Sequence, residues 1–202
     1  MRKINLTLLT ILSFFILTSC GDKTPSTPTP TPTPTPTVNT AGILTVSTVT
    51  SSTDKLNPSD GANTAFGPSN ASAYWIEDAN GKFVRTLKLQ TKSRKPWLLE
   101  WTTKSAGNVV NATTGATLTT YGPVTCTWDG KDVTGAIVPD GTYTLRMELA
   151  DDADVLNNGT GSTGVSSKFS KTFTKGTTTV SITAPNVTSF SNNIIVWTPT
   201  IQ

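Results

Sequence analysis

Thr142-Tyr143-Thr144-Leu145-Arg146-Met147-Glu148-Leu149 alternates without a break. Tyr143, Leu145, Met147 and Leu149 share one face of an extended chain, and Thr142, Thr144, Arg146 and Glu148 share the other. That period of two predicts a β-strand with one face in a core and one in water. Outward from it the pattern recurs in short stretches separated by Gly, Pro, Asn and Asp clusters. These predict strands near 43–50, 71–78, 82–90, 122–128, 142–150, 165–174, 177–184 and 192–199. Asp78-Ala79-Asn80-Gly81 joins two of them as a hairpin, because Asn-Gly tolerates positive φ. A helix is expected only over 96–106, with Pro96 at its first position, Trp97 and Trp101 one turn apart and Gly107 as its stop. Seven to eight short strands with one minor helix predict an all-β, antiparallel sandwich. Roughly a fifth of the 202 residues are threonine, which is β-branched and polar enough for the outer faces of such sheets.

Composition narrows the function. The chain has no histidine, which removes the commonest general base and the usual partner of a catalytic serine or cysteine. Familiar hydrolase chemistry is therefore not expected, and neither is a small-molecule substrate. The net charge of +3 includes Arg2 and Lys3, whose segment reads as a removable leader, so it gives no reason to expect nucleic acid as a partner.

Residues 6–17 read LTLLTILSFFIL, an apolar run of signal-peptide length and too short for a comfortable membrane span. The following Leu17-Thr18-Ser19-Cys20 resembles the lipobox of bacterial lipoproteins. The resemblance implies removal of residues 1–19, a diacylglyceryl thioether on Cys20 and acylation of the new amino terminus, which together make a stable membrane anchor. Gly21, where a retained inner-membrane lipoprotein has aspartate, points to the outer membrane. Residues 24–37, TPSTPTPTPTPTPT, hold six of the 13 prolines and no core-forming side chain. Residues 20–40 are accordingly expected to form an extended, polyproline-like stalk, and 41–202 a single folded domain. With Cys20 carrying lipid, Cys126 has no disulfide partner; it alternates with Val124 and Trp128 on an apolar face and reads as a buried thiol.

Trp128-Asp129-Gly130-Lys131-Asp132-Val133-Thr134-Gly135-Ala136-Ile137-Val138-Pro139-Asp140-Gly141-Thr142-Tyr143 resembles the W-D-G-x-D-x-x-G-x-x-V-P-x-G-x-Y hairpin of immunoglobulin-like domains such as that of the flagellar hook-capping protein. GILTVSTVT at 42–50, WIEDANGKFVRTL at 75–87, TTGAT at 113–117 and FTKG at 173–176 flank that hairpin in the order seen in the predicted periplasmic family called domain of unknown function 2271. The resemblance spans roughly 42–200 and implies an envelope location and an immunoglobulin-like fold. It brings no activity, and fold alone supplies none.

Asn111-Ala112-Thr113-Thr114-Gly115-Ala116-Thr117 is similar to the D-x-x-[ST]-G-A-[ST] motif at which a flavin transferase joins FMN to secreted electron carriers. The resemblance implies FMN on Thr117, with Gly115 and Ala116 small enough for the backbone to enter the transferase. Asn111 departs from the motif's Asp, and the alternative is an ordinary threonine-rich loop. Asp129 and Asp132 read as turn-forming acceptors, with an acid–base pair as their other reading. Lys82, Arg85, Lys88, Lys92, Arg94 and Lys95 form a basic run, either a solvated face or an anionic-surface contact. Asp151, Asp152 and Asp154 have the ligand density of a calcium loop without its spacing, and a long polar loop is the plainer reading. No other metal or cofactor site is expected. The expected function is that of a lipid-anchored envelope protein presenting an immunoglobulin-like interaction module to another envelope protein, without catalysis of its own. A flavinylated electron carrier is the alternative. A carbohydrate-binding module built on Trp75, Trp97 and Trp101 is a third.

Overall fold

The computed structural model describes residues 38–51, 70–92, 95–151 and 166–200. Within them are β1 (Gly42–Thr50), β2 (Asn70–Asp78), β3 (Phe83–Gln90), a helix α1 (Leu99–Ser105), β4 (Thr113–Gly115), β5 (Pro123–Trp128), β6 (Gly141–Asp151), β7 (Ser167–Lys175), β8 (Val180–Ala184) and β9 (Phe190–Pro199). Two sheets form, one in the order β5-β1-β9-β8 and the other in the order β4-β3-β2-β6-β7. This is the expected all-β sandwich. Each of the eight expected strands is present with ends shifted by up to three residues, and β4 is a ninth. The β3–β4 pair runs parallel, whereas the other paired strands are antiparallel.

The interior follows from the alternation. Leu44, Val46 and Ile195 of the first sheet meet Ile76, Leu145 and Met147 of the second in one core. Trp128 centres its densest part, with ring centroids of Tyr143, Phe173 and Trp197 at 5.3, 6.1 and 6.2 Å. Buried indoles need acceptors, and the Trp128 and Trp197 N–H groups donate to the carbonyls of Lys131 and Gly176 at 2.7 and 2.8 Å. Cys126 is buried in the same core as expected, and desolvation pushes its thiol pKa up to about 12.

β2 is buried on both faces. Its second face carries Ala71, Ala73 and Trp75, and against these lie Leu98 and Trp101 at the start of α1. The helix has no side-chain cap of its own. Glu148 of β6, fully buried, caps it instead, accepting the N–H groups of Glu100 and Trp101 at 3.2 and 2.8 Å and the Ser166 hydroxyl at 2.6 Å. The expected continuous helix over 96–106 is broken: Lys95–Trp97 form a 3-10 turn, and α1 begins only after Leu98. Trp97 and Trp101 therefore do not share a face, and Trp97 is 40% exposed while Trp101 is buried.

Residues 128–143 are also corrected. β5 and β6 lie in different sheets, so the run is an arch across the sandwich rather than a hairpin between paired neighbours. Its own small ladder pairs Lys131 with Ile137. Gly130 adopts φ +73, and an added Cβ would lie 3.1 Å from Lys175 Cε and 3.2 Å from the Trp197 ring. The arch ends at Asp140, whose carboxylate accepts the Thr40 N–H at 2.8 Å, the Thr40 hydroxyl at 2.5 Å and the fully buried Lys175 Nζ at 2.7 Å. Desolvation alone would raise the Asp140 pKa; the bonds from Lys175 and Thr40 outweigh it and hold the carboxyl below the ordinary range.

The two ends of the sandwich are thereby distinct. At one, the Asp140 N–H reaches the Val38 carbonyl at 2.8 Å and the Thr200 N–H reaches that of Ala41 at 2.8 Å. At the other, the N–H groups of Thr50 and Ser51 reach the carbonyls of Gly122 and Ser189 at 2.9 and 3.1 Å, and Asn70 bridges Leu118.

Candidate functional site

Thr117 sits at the end remote from Val38. The chain reaches it from α1 through Asn111, whose φ of +57 suits asparagine and whose carbonyl accepts Arg85 Nη2 at 3.3 Å. The departure from the flavin motif thus falls on a left-handed position held by an arginine. Thr113 to Gly115 then pair with Lys88 to Gln90 as the edge strand β4, all three exposed. Beyond the strand the Thr91 N–H donates to the Gly115 carbonyl at 3.0 Å, and the Lys92 N–H donates to Thr117 Oγ1 at 2.9 Å. Leu118 and Asn70 exchange backbone bonds of 2.8 and 3.0 Å, and Asn70 Nδ2 donates to the Thr120 carbonyl at 3.1 Å.

Chemically, Thr117 presents a half-buried hydroxyl whose oxygen takes one backbone N–H, leaving its own O–H able to donate. Ala116 is exposed. At Gly115 an added Cβ would meet only Gln90, at 3.8 Å, and its φ is not positive. Nothing in the local fold demands glycine there. Lys92, Gln90, Arg85 and Asn70 hold this segment, and the sequence reading connected none of them with it. Gln90 meets it through the parallel pairing of β4 with β3, Asn70 through an antiparallel bridge to Leu118, and Arg85 through the Asn111 carbonyl, contacts between distant residues that leave no periodic signal in a three-residue strand.

The other candidates separate. Asp129 accepts Arg85 Nη1 at 2.8 Å and the Lys131 N–H at 3.2 Å. Asp132 accepts the Thr134 N–H and hydroxyl at 2.8 and 2.6 Å and the Ala136 N–H at 3.2 Å, and its pKa is lowered, first by the Thr134 hydroxyl. Both carboxylates are occupied in building the arch. The basic run does not form one patch: Arg85 pairs with Asp129, Lys88 Nζ reaches the Thr125 carbonyl at 3.3 Å, and Lys95 Nζ lies 5.3 Å from the Trp101 ring centre. Lys82 closes the β2–β3 turn at the other end, and Arg94 lies outside the described residues. Trp75 and Trp101 are buried in the layer between β2 and α1, so they form no platform with Trp97. Cys20, stalk residues 21–37, Asp152 and Asp154 lie outside the described residues, whereas Val38 and Thr40, expected in the stalk, are bonded to Asp140 of the arch; Asp151 is placed only as the last residue of β6.

Residues 62–182 match the family described as predicted periplasmic protein (DUF2271). The chain belongs to this family. An envelope location for the DUF2271 domain follows from that membership, and no helix of the described residues is long and apolar enough to cross a membrane. The match takes in β2 to β7 and the start of β8, including the Thr117 segment and the arch, but not β1 or β9. No curated protein and no solved structure matches the chain.

Proposed function

We propose that this chain is a lipid-anchored envelope protein that presents its DUF2271 sandwich as an interaction module, without catalysis of its own. The observation that carries the reading is the polarity of the sandwich. The backbone at 38–41 is joined to the end formed by Asp140 and Thr200, while residues 115–120 lie at the opposite end. Loops at that opposite end are free to meet a partner, as loops on a rigid sandwich commonly do. Two experiments test the reading. Metabolic labelling with a palmitate analogue should mark the protein and be lost in Cys20→Ser; an unlabelled wild type removes the anchor. A photocrosslinking residue at Thr119, compared with one at Thr134, should capture an envelope protein from the first position only. Equal capture from both removes the polarity.

A second reading has its own observation. Gly115 occupies an exposed edge where φ is not positive and an added Cβ would make only ordinary contact with Gln90, so a glycine there is explained by a visiting enzyme better than by the fold. The residues fit an acceptor segment: Thr117 Oγ1 would carry FMN through a phosphoester, and the redox chemistry would be the flavin's. Intact mass after export beside a flavin transferase should rise by one FMN and stay unmodified in Thr117→Ala. An unmodified wild type, with a known acceptor modified in parallel, ends this reading.

A further inference from the structure

Charge is partitioned between the two sheets. β5, β1, β9 and β8 contain no Lys, Arg, Asp or Glu, while β2, β3, β6 and β7 of the other sheet hold both signs. The outer face of the first sheet is therefore a surface of hydroxyls and methyls. One cross-strand row runs Thr127–Thr45–Val196–Ser181. Ile43 and Ile194 project from the same face, each 44% exposed. Surface strands usually carry charged residues that keep sheets apart, and here that protection is missing from an entire face. The open edge of β5 is better guarded, since Lys88 Nζ covers the Thr125 carbonyl.

We propose that this face docks on the same face of a second copy of the chain, across a two-fold axis. A hydroxyl both donates and accepts, so a threonine-rich surface is its own complement, and an isologous contact needs that property. A charged partner would leave its ions desolvated and unpaired against this face. A sugar would lack a ring to stack on, because the aromatic residues of these four strands, Trp128, Phe190 and Trp197, are buried. A rigid flat lattice would not follow the twist of a sheet. Strands β5, β1, β9 and β8, of 6, 9, 10 and 5 residues and spaced ~4.8 Å apart, give a footprint of roughly 500 Å². That is below the ~800 Å² each partner contributes to a standard interface, so the pair is weak in dilute solution and forms where copies are concentrated.

The test uses the full chain in cells. A photocrosslinking residue at Ser181 should yield a covalent species of twice the monomer mass, and one at Thr174, on the outer face of β7, should not. Adding Thr45→Lys to the Ser181 probe should cut the dimer at least about tenfold by placing like charges across the axis, and co-expressed Thr45→Glu copies should restore it as a mixed dimer. Sedimentation of the purified chain at about 1 mM separates a missing anchor from a missing interface, because the dimer is expected there without any membrane. A monomer at that concentration, a dimer indifferent to Thr45→Lys, or capture of a different protein at Ser181 each overturns the proposal.

Discussion

Asp140 and Lys175 carry more of the fold than their exposure would suggest. Lys175 is fully buried and Asp140 is its ion-pair partner, so Asp140→Ala leaves an ammonium unpaired among Trp197 and its neighbours. The expected cost is about 3 kcal/mol in urea denaturation. The pH dependence has a definite sign. A carboxyl with a depressed folded pKa contributes fully above the ordinary value of about 4 and loses that contribution as pH falls from there through the folded value. Asp140→Ala should therefore flatten this part of the acid limb of the stability profile. Cys126 gives the opposite kind of expectation: buried and titrating at about 12, it should resist alkylation at pH 8 in the folded chain and react once urea unfolds it, as mass spectrometry would read.

At the scale of elements, α1 is stapled rather than self-sustaining. It spans Leu99–Ser105, too short to persist alone, and its start is capped from another strand by Glu148. Glu148→Ala removes three hydrogen bonds to buried or half-buried donors and should cost about 2 kcal/mol, with faster hydrogen exchange confined first to 99–105. The arch has a different constraint. Gly130→Ala meets both a positive φ and the Lys175 and Trp197 side chains, and about 2 kcal/mol of destabilisation should follow in thermal melts. Gly115→Ala, by contrast, should leave stability unchanged, which makes it a clean variant for testing recognition at Thr117.

Across the whole molecule, β1 and β9 pair from opposite ends of the chain, Leu44 with Trp197 and Val46 with Ile195. A fragment limited to residues 62–182 lacks both. It would expose Val124, Cys126 and Trp128, which share their core with Leu44, Val46, Ile195 and Trp197, and it should show no cooperative unfolding transition while the full chain does. The same long-range pairing predicts slow folding, since the ends must meet before the first sheet can close.

Legibility follows the range of the interactions. Alternation in 142–149 and its counterparts marks the core faces, because a strand's two sides are defined by its own residues. The buried Cys126 and the turn roles of Asp129 and Asp132 are legible for the same local reason. The break in the helix at Leu98 is not legible, because Glu148, far along the chain, sets where α1 begins. The 128–143 run reads as a hairpin because its turn residues are local, whereas the sheet that each flanking strand joins depends on distant partners. The sequence alone thus determined the strand pattern, the all-β class and the family resemblance. Tertiary structure alone decided which strands share a sheet, that Thr117 lies opposite the Val38 end, and that the uncharged strands gather into one face, since each depends on backbone bonds between residues far apart in the chain.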